Sequence, residues 1–269
     1  MKSFVISLLA NNAKRRQHIE KEFSEKNVKF EFFDAITPDM NKTLMSKYHL
    51  ENIPTNLTEK EISCFLSHYV LWNYVVENDL NHIAIFEDDI YLGNNVQNFL
   101  TDSNWIDPNI DIIKLEKGVQ TTVKCSFKHT EIFGRSIYRL KSTHYGAAGY
   151  IISNKGAKYL IEQYSNATEL FAVDVHIFEN YLKNKSYIVM QLLPALCIQD
   201  FVSHHLNLNN EITLESSLQA GRINNQSSQI KTRKNKTILY KIIREIIRPL
   251  FQIYNFFYKR LYTKNVTYK

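Results

Sequence analysis

The sequence predicts an α/β domain with a mainly parallel sheet flanked by helices, followed by C-terminal basic amphipathic helices. Three observations carry this. Strand-like and helix-like segments alternate from residue 3 to about 200. The apolar run 83–86 ends in three consecutive acids, Glu87, Asp88 and Asp89, where a parallel strand delivers side chains to a ligand crevice. Positive charge is concentrated beyond residue 230, apart from the alternating region.

The elements follow in order. "SFVISLL" (3–9) is a first strand. Asn11 or Asn12 caps a helix running to about Lys26, with Ile19 and Phe23 on one face. Val28, Phe30 and Phe32 alternate in a second strand that ends at Asp34, and 35–57 reads as irregular and polar. Thr58 and Glu61 form a capping box that opens a long helix, with Ile62, Phe65, Leu66, Tyr69 and Val76 at helical spacing. The acid-terminated strand comes next, then strands "DIIKL" (111–115) and "SIYRL" (136–140). "HYGAAGYIIS" is a strand entered through small residues, and Ser153 caps the helix after it. Asp174 caps a short helix over 175–183, and "YIVMQLLPALC" is the last strand. Domain 1–206 is then followed by an Asn-, Gln- and Ser-rich linker, 207–236, and a tail, 237–269.

The chain has 269 residues and is 44% apolar, enough for a substantial core. With 7 glycines and 5 prolines it is neither fibrous nor low-complexity. From Lys231 onward, eleven Lys or Arg face one acid, Glu245, so the tail is near +10 and the rest about −4. The basic character thus belongs to the tail. Cys64, Cys125 and Cys197 are too scattered for a disulfide framework and suit a reducing compartment. The N-terminus carries neither a long apolar run nor a small-residue cleavage pattern, and no 20-residue apolar window occurs.

Adjacent carboxylates raise one another's pKa unless a cation neutralises them, and oxygen donors suit hard divalent ions. On an extended backbone Glu87 and Asp89 share one side, with Asp88 on the other. Acid-x-acid at a strand end therefore reads as a metal–diphosphate site; the plain alternative is a solvated turn. Independently, the first helix opens with Lys14, Arg15 and Arg16. Cations at a helix N-terminus oppose its dipole unless an anion occupies that end.

"LTEKEISCFLSHYVLW" followed by "IAIFEDDIYLG" resembles the family 25 glycosyltransferases, especially bacterial lipooligosaccharide galactosyltransferases. The matched residues are Glu61, Ile62, Cys64, Leu66, Ser67, His68, Leu71 and Trp72, then Glu87, Asp88 and Asp89. "VISL" with Arg15–Arg16, "FFDAI", "GAAGYIISNKGAKYL", Val173–Asp174 and "PALCIQD" extend the likeness over roughly 3–222. The resemblance implies a GT-A-like, Rossmann-like fold and inverting transfer from UDP-galactose to a terminal sugar of a growing lipooligosaccharide, assisted by Mn²⁺ or Mg²⁺. The acid-x-acid reading of the strand end puts Asp89 on the metal and Glu87 on the metal or the ribose, with His205 (or His204) as a further ligand. Ser7, Leu8, Arg15, Arg16, Asp34, Asp88, Lys114, Gly146, Gln199 and Asp200 fall to the donor. Asp174 is the candidate base, with His176 its rival and a plain helix cap the alternative. His68 is a structural helix residue or a catalytic one.

In the tail, Ile238, Ile242, Ile246, Leu250, Tyr254 and Leu261 form an apolar stripe, with Lys241, Arg244, Arg248, Lys259 and Arg260 mostly off it. That pattern suits an anionic membrane surface, hence a peripheral site on the inner face of the bacterial inner membrane; packing on the domain or on a partner chain is the alternative. No nucleic-acid module accompanies it. The rival to an enzyme is an inactive glycan-binding or membrane-peripheral scaffold on the same fold.

Overall fold

The computed structural model describes residues 1–9, 13–206, 208, 214 and 260–269. In chain order the elements are β1 (Lys2–Ser7), α1 (Ala13–Glu25), β2 (Glu31–Asp34), α2 (Pro38–Lys47), α3 (Glu59–Glu77), β3 (His82–Glu87) and β4 (Ile90–Leu92). These are followed by α4 (Gln97–Leu100), β5 (Ile112–Lys114), β6 (Glu116–Lys117), β7 (Thr122–Ile132), β8 (Arg135–Leu140), β9 (Gly149–Ser153) and α5 (Asn154–Ser165). The last are α6 (Val173–Phe178), a single 3₁₀ turn (Asn180–Lys183), β10 (Val189–Leu193), β11 (Cys197–Gln199), α7 (Asp200–His205) and β12 (Thr263–Asn265).

Nine strands form one sheet in the order β12-β7-β8-β10-β5-β9-β3-β1-β2, and β4-β11-β6 form a second, small sheet. The α/β architecture is as expected, but the sheet is mixed. β1 runs parallel to β2 and β3, and β5 to β10. β9 sits antiparallel between β3 and β5, and the β12-β7-β8 edge is antiparallel as well. Small residues before β9 let the chain return along the sheet, so strand–helix alternation did not imply a single strand direction.

The central strands are covered on both faces, so they read as unbroken apolar runs. Successive residues go to opposite sides. Ile83 and Ile85 of β3, with Tyr150 and Ile152 of β9, join the core that includes Phe65, Trp72 and Leu160. Ala84, Phe86 and Ile151 join the other, with Ile19, Phe23 and Phe99. The capping box forms as read: Glu61 N–H donates to Thr58 Oγ1 (3.3 Å) and Thr58 N–H to Glu61 Oε2 (2.9 Å). Ser153 caps α5 by accepting from Gly156 N–H at 3.0 Å. Residues 11 and 12, the expected caps of α1, lie outside the described residues.

Besides the short elements β4, α4, β6, β11 and α7, three others escaped the pattern reading. α2 lies inside the stretch read as irregular; it buries only Asn41 and Met45, and its signal is Pro38 at the first helical position. β7 is a largely exposed strand with little apolar alternation, joined to β8 through Phe133 and Gly134, both at positive φ as a two-residue hairpin turn requires. The end of the chain is the third. β12 pairs antiparallel with β7, Ala195 N–H donates to Thr267 O (2.7 Å), and Arg135 donates to Lys269 O (2.6 Å). The expected tail, 237–269, thus rejoins the domain in its last residues; 237–259 lie outside those described.

Phe65 is fully buried among aromatic rings, whereas Thr58 acts at an exposed cap. Chemical denaturation should show Phe65→Ala losing about 3–5 kcal/mol and Thr58→Ala about 1 kcal/mol.

Candidate active site

The site lies at the carboxyl edge of β1, β2 and β3. Register aligns Ile6 with Glu87 and Ser7 with Asp34, so the expected residues of all three strands emerge at one level. The acidic turn is tied down on both sides: Glu87 N–H donates to Ala148 O (3.1 Å) and Asp200 N–H to Asp89 O (2.8 Å).

Asp88 turns toward β1. It accepts from Ser7 Oγ at 2.7 Å and from Arg15 at 2.5 Å. Leu8 follows immediately, half-buried, its carbonyl 3.5 Å from Ser7 Oγ. Strand β3 ends at Glu87 and residues 88–89 turn, so the alternation expected of an extended backbone does not apply; Glu87 and Asp89 meet through a shared partner. One side-chain nitrogen, Gln199 Nε2, donates to Glu87 Oε2 (3.0 Å) and to Asp89 Oδ1 (3.3 Å). Arg15 also lies 3.8 Å from Asp89. Arg16 pairs with exposed Asp34, donates to Ser7 O (3.2 Å) and covers the Phe32 ring. The two arginines expected near phosphate are therefore poised at the acidic edge, each held by a carboxylate.

Burial pushes the Glu87 carboxyl well above its usual range, and Asp89, Glu116, Asp88 and Asp174 push the same way. Burial also raises Asp89, to about 6, against the opposing attraction of Arg15 and the Gln199 hydrogen bond.

A second constellation stands behind the first. Lys114 was expected to line the crevice but is fully buried. Its ammonium donates to Glu116 Oε2 (3.1 Å), Tyr145 O (3.3 Å) and Gly146 O, and lies 4.0 Å from the Phe178 ring centre. Its place in the fold is to hold the loop before β9. Gly146 has φ +96°, and a Cβ there would collide with the Glu116 carboxylate. Gly146 N–H donates to Asp174 Oδ2 (3.0 Å), while Asp174 Oδ1 accepts from Val175 N–H (3.0 Å). Asp174 was expected to cap this helix, but Ala172 occupies the cap position and Asp174 lies two residues further on, in the first turn of α6.

Other expectations resolve differently. His176 is buried, accepts from Phe171 N–H at 2.8 Å, and is driven down to about 4 by burial, so it is neutral and engaged locally. Asp200 is buried and accepts from Tyr91 Oη (2.9 Å) and Leu214 N–H (3.2 Å), which makes it a brace for α7. His205 is exposed and stacks on Phe201. Among the described residues, the group of three donors that gather within 4.8 Å is Cys64, His68 and Glu87; His205 does not join Glu87 and Asp89. Glu116 was not singled out from sequence. Its only signal is the alternation Lys114-x-Glu116 at a strand end.

The fold is thus an α/β sheet that gathers carboxylates and arginines at the carboxyl ends of its parallel strands. The chain belongs to glycosyltransferase family 25: the family described as "Glycosyltransferase family 25 (LPS biosynthesis protein)" matches residues 1–177. Its relatives include a putative glycosyltransferase of Haemophilus influenzae, 40% identical over 94% of this chain and 86% of that protein. The lipooligosaccharide biosynthesis protein lic2B of the same species is 36% identical, covering 93% of this chain and 96% of its own. The lacto-N-neotetraose biosynthesis glycosyltransferase LgtB of Neisseria meningitidis is 30% identical over 92% and 93%. Among solved structures, a glycosyltransferase involved in glycosylation of the PBCV-1 major capsid aligns with 77% of this chain and 98% of its own, at 10% identity and a TM-score of 0.40.

A carboxyl whose pKa is raised by folding costs stability wherever it is ionised. For Asp89 that cost is absent below pH 4, grows between about pH 4 and 6, and is complete above. Asp89→Asn should therefore be more stable than the parent at pH 7.5 by up to about 3 kcal/mol, with the gap closing toward pH 4 in denaturant titrations.

Proposed function

We propose that this glycosyltransferase moves galactose from UDP-galactose, with inversion, onto a terminal sugar of lipooligosaccharide, with a divalent cation, Mn²⁺ or Mg²⁺, at the acidic edge. The observation that carries this is half-buried Glu87 beside buried Asp89, joined through one Gln199 nitrogen and both pushed toward protonation, first by burial and then by neighbouring carboxylates. The relatives named for lipooligosaccharide and lacto-N-neotetraose biosynthesis support the acceptor class.

The donor set fits a hard cation, since both groups are carboxylates whose repulsion such an ion relieves. Glu87 and Asp89 would hold it, and when bound it would neutralise charge on the departing diphosphate. Arg15 and Arg16 lie at the same edge to bind phosphate oxygens, with Asp88 and Asp34 setting their positions. Ser7, Leu8 and Asp34 line the nucleoside side, and Gln199 the sugar side. Asp174 takes the proton from the acceptor hydroxyl. That oxygen forms a bond to the anomeric carbon on the face opposite the diphosphate, and the bond to UDP breaks. Two backbone N–H groups orient Asp174 and leave lone pairs for the acceptor proton.

The basic amphipathic residues 237–259, which lie outside the described residues, are assigned to the anionic surface of the inner membrane. Removing everything after residue 230 would also remove β12, so charge neutralisation is the cleaner test. The triple variant Lys241→Gln, Arg244→Gln, Arg248→Gln should lose co-sedimentation with anionic liposomes; binding equal to the parent's overturns the assignment.

A donor panel on defined oligosaccharides, read by mass spectrometry, should give UDP-galactose as the productive donor. Asp89→Asn should lose at least about 100-fold in kcat/KM, and Mn²⁺ should raise the melting temperature of the parent but not of this variant. Asp174→Asn should lose turnover yet keep calorimetric donor affinity; loss of both would make Asp174 a structural residue.

A further inference from the structure

A different set of donors meets the acidic turn from the side of α3. Cys64 and His68 stand one helical turn apart on α3, and their Sγ and ring nitrogen lie within 4.8 Å of each other and of a Glu87 carboxylate oxygen. His68 is fully buried, and its Nε2 has no hydrogen-bond partner although it points at Glu87 Oε1, 3.9 Å away. A buried ring nitrogen left unpaired is costly, and a bound water or ion is among the arrangements that satisfy it.

The rest of the imidazole is fixed. His68 Nδ1 lies 2.9 Å from the Tyr150 hydroxyl, the Trp72 indole N–H donates to that same oxygen at 2.9 Å, and the His68 and Tyr150 rings stack. In the tautomer that carries its proton on Nδ1, the Nε2 lone pair faces Cys64 and Glu87. A ring locked by an outer hydrogen bond is how a metal-bound histidine is held.

We propose that Cys64 Sγ, His68 Nε2 and Glu87 Oε1 bind a thiophilic divalent ion of the zinc class, at a site that shares only Glu87 with the oxygen-only pair Glu87–Asp89. A tetrahedral ion with bonds of about 2.0–2.3 Å needs its ligand atoms about 3.4–3.6 Å apart. With the imidazole held by Tyr150, the present spacing must close by rotation of the Cys64 and Glu87 side chains. The thiol of Cys64 gives its proton to solvent on binding, and half-buried Cys64 leaves the fourth position open to water. Thiolate plus imidazole selects zinc, cobalt or cadmium over magnesium, calcium or manganese.

The test uses the full chain titrated with Co²⁺ and, separately, with Zn²⁺ by equilibrium dialysis. The parent should take up one equivalent and show a thiolate-to-cobalt charge-transfer absorption. Cys64→Ser should abolish that absorption and weaken Zn²⁺ binding at least tenfold. Asp89→Asn should keep both, since it lies outside this trio. Equal Zn²⁺ binding by parent and Cys64→Ser, or a cobalt complex without the thiolate band, overturns the proposal. So does loss of Zn²⁺ binding in Asp89→Asn, which would place the ion in the acidic turn.

Discussion

The structure depends on how it tolerates four buried or half-buried carboxylates, Glu87, Asp88, Asp89 and Glu116, at the centre of one sheet edge. Charges withdrawn from water must be paired, hydrogen-bonded or protonated. Each of the four meets this differently. Asp88 has Arg15 and Ser7, and Glu116 has Lys114 and the Ala148 N–H. Glu87 and Asp89 divide a single Gln199 amide and remain inclined to hold a proton. The least compensated pair is the one for which a metal role is proposed.

The same constraint organises the surrounding chain. Lys114 neutralises Glu116 and draws in the carbonyls of Tyr145 and Gly146, which sets the loop before β9. That loop admits no side chain at Gly146, and its N–H fixes Asp174. The candidate base on α6 is thus positioned from the acidic turn through a short run of polar contacts. α3 completes the enclosure. Its apolar residues pack on the sheet, while Cys64 and His68 turn toward Glu87. One helix therefore serves both as core and as a wall of the site, which accounts for the buried polar residues within an otherwise apolar face.

Much of this was legible in the chain. The capping box at Thr58, the cap at Ser153 and the apolar strands at β1, β3, β5 and β9 are local signals, and they were read where they occur. The acidic turn, Arg15, Arg16 and Asp34 were also found, because a strand end and a helix start each carry a one-dimensional mark. What failed to show was of another kind. α2 and β7 bury too little to leave a periodic pattern, and β12 draws its partner from residues more than a hundred positions away. Lys114 looked like a ligand residue because its ion-pair partner, Glu116, stands out only once both are seen buried together.

The sequence by itself determined the residue types, the strand ends on which the acids fall, and the helix that faces them, because periodicity and capping act over a few residues. Only the tertiary structure decided which carboxylates are paired and which share a single amide, and which nitrogen of His68 lacks a hydrogen-bond partner. It also decided that the chain's last strand closes the sheet. Those outcomes depend on burial and on charges brought together from distant positions, and no local pattern encodes a desolvation cost.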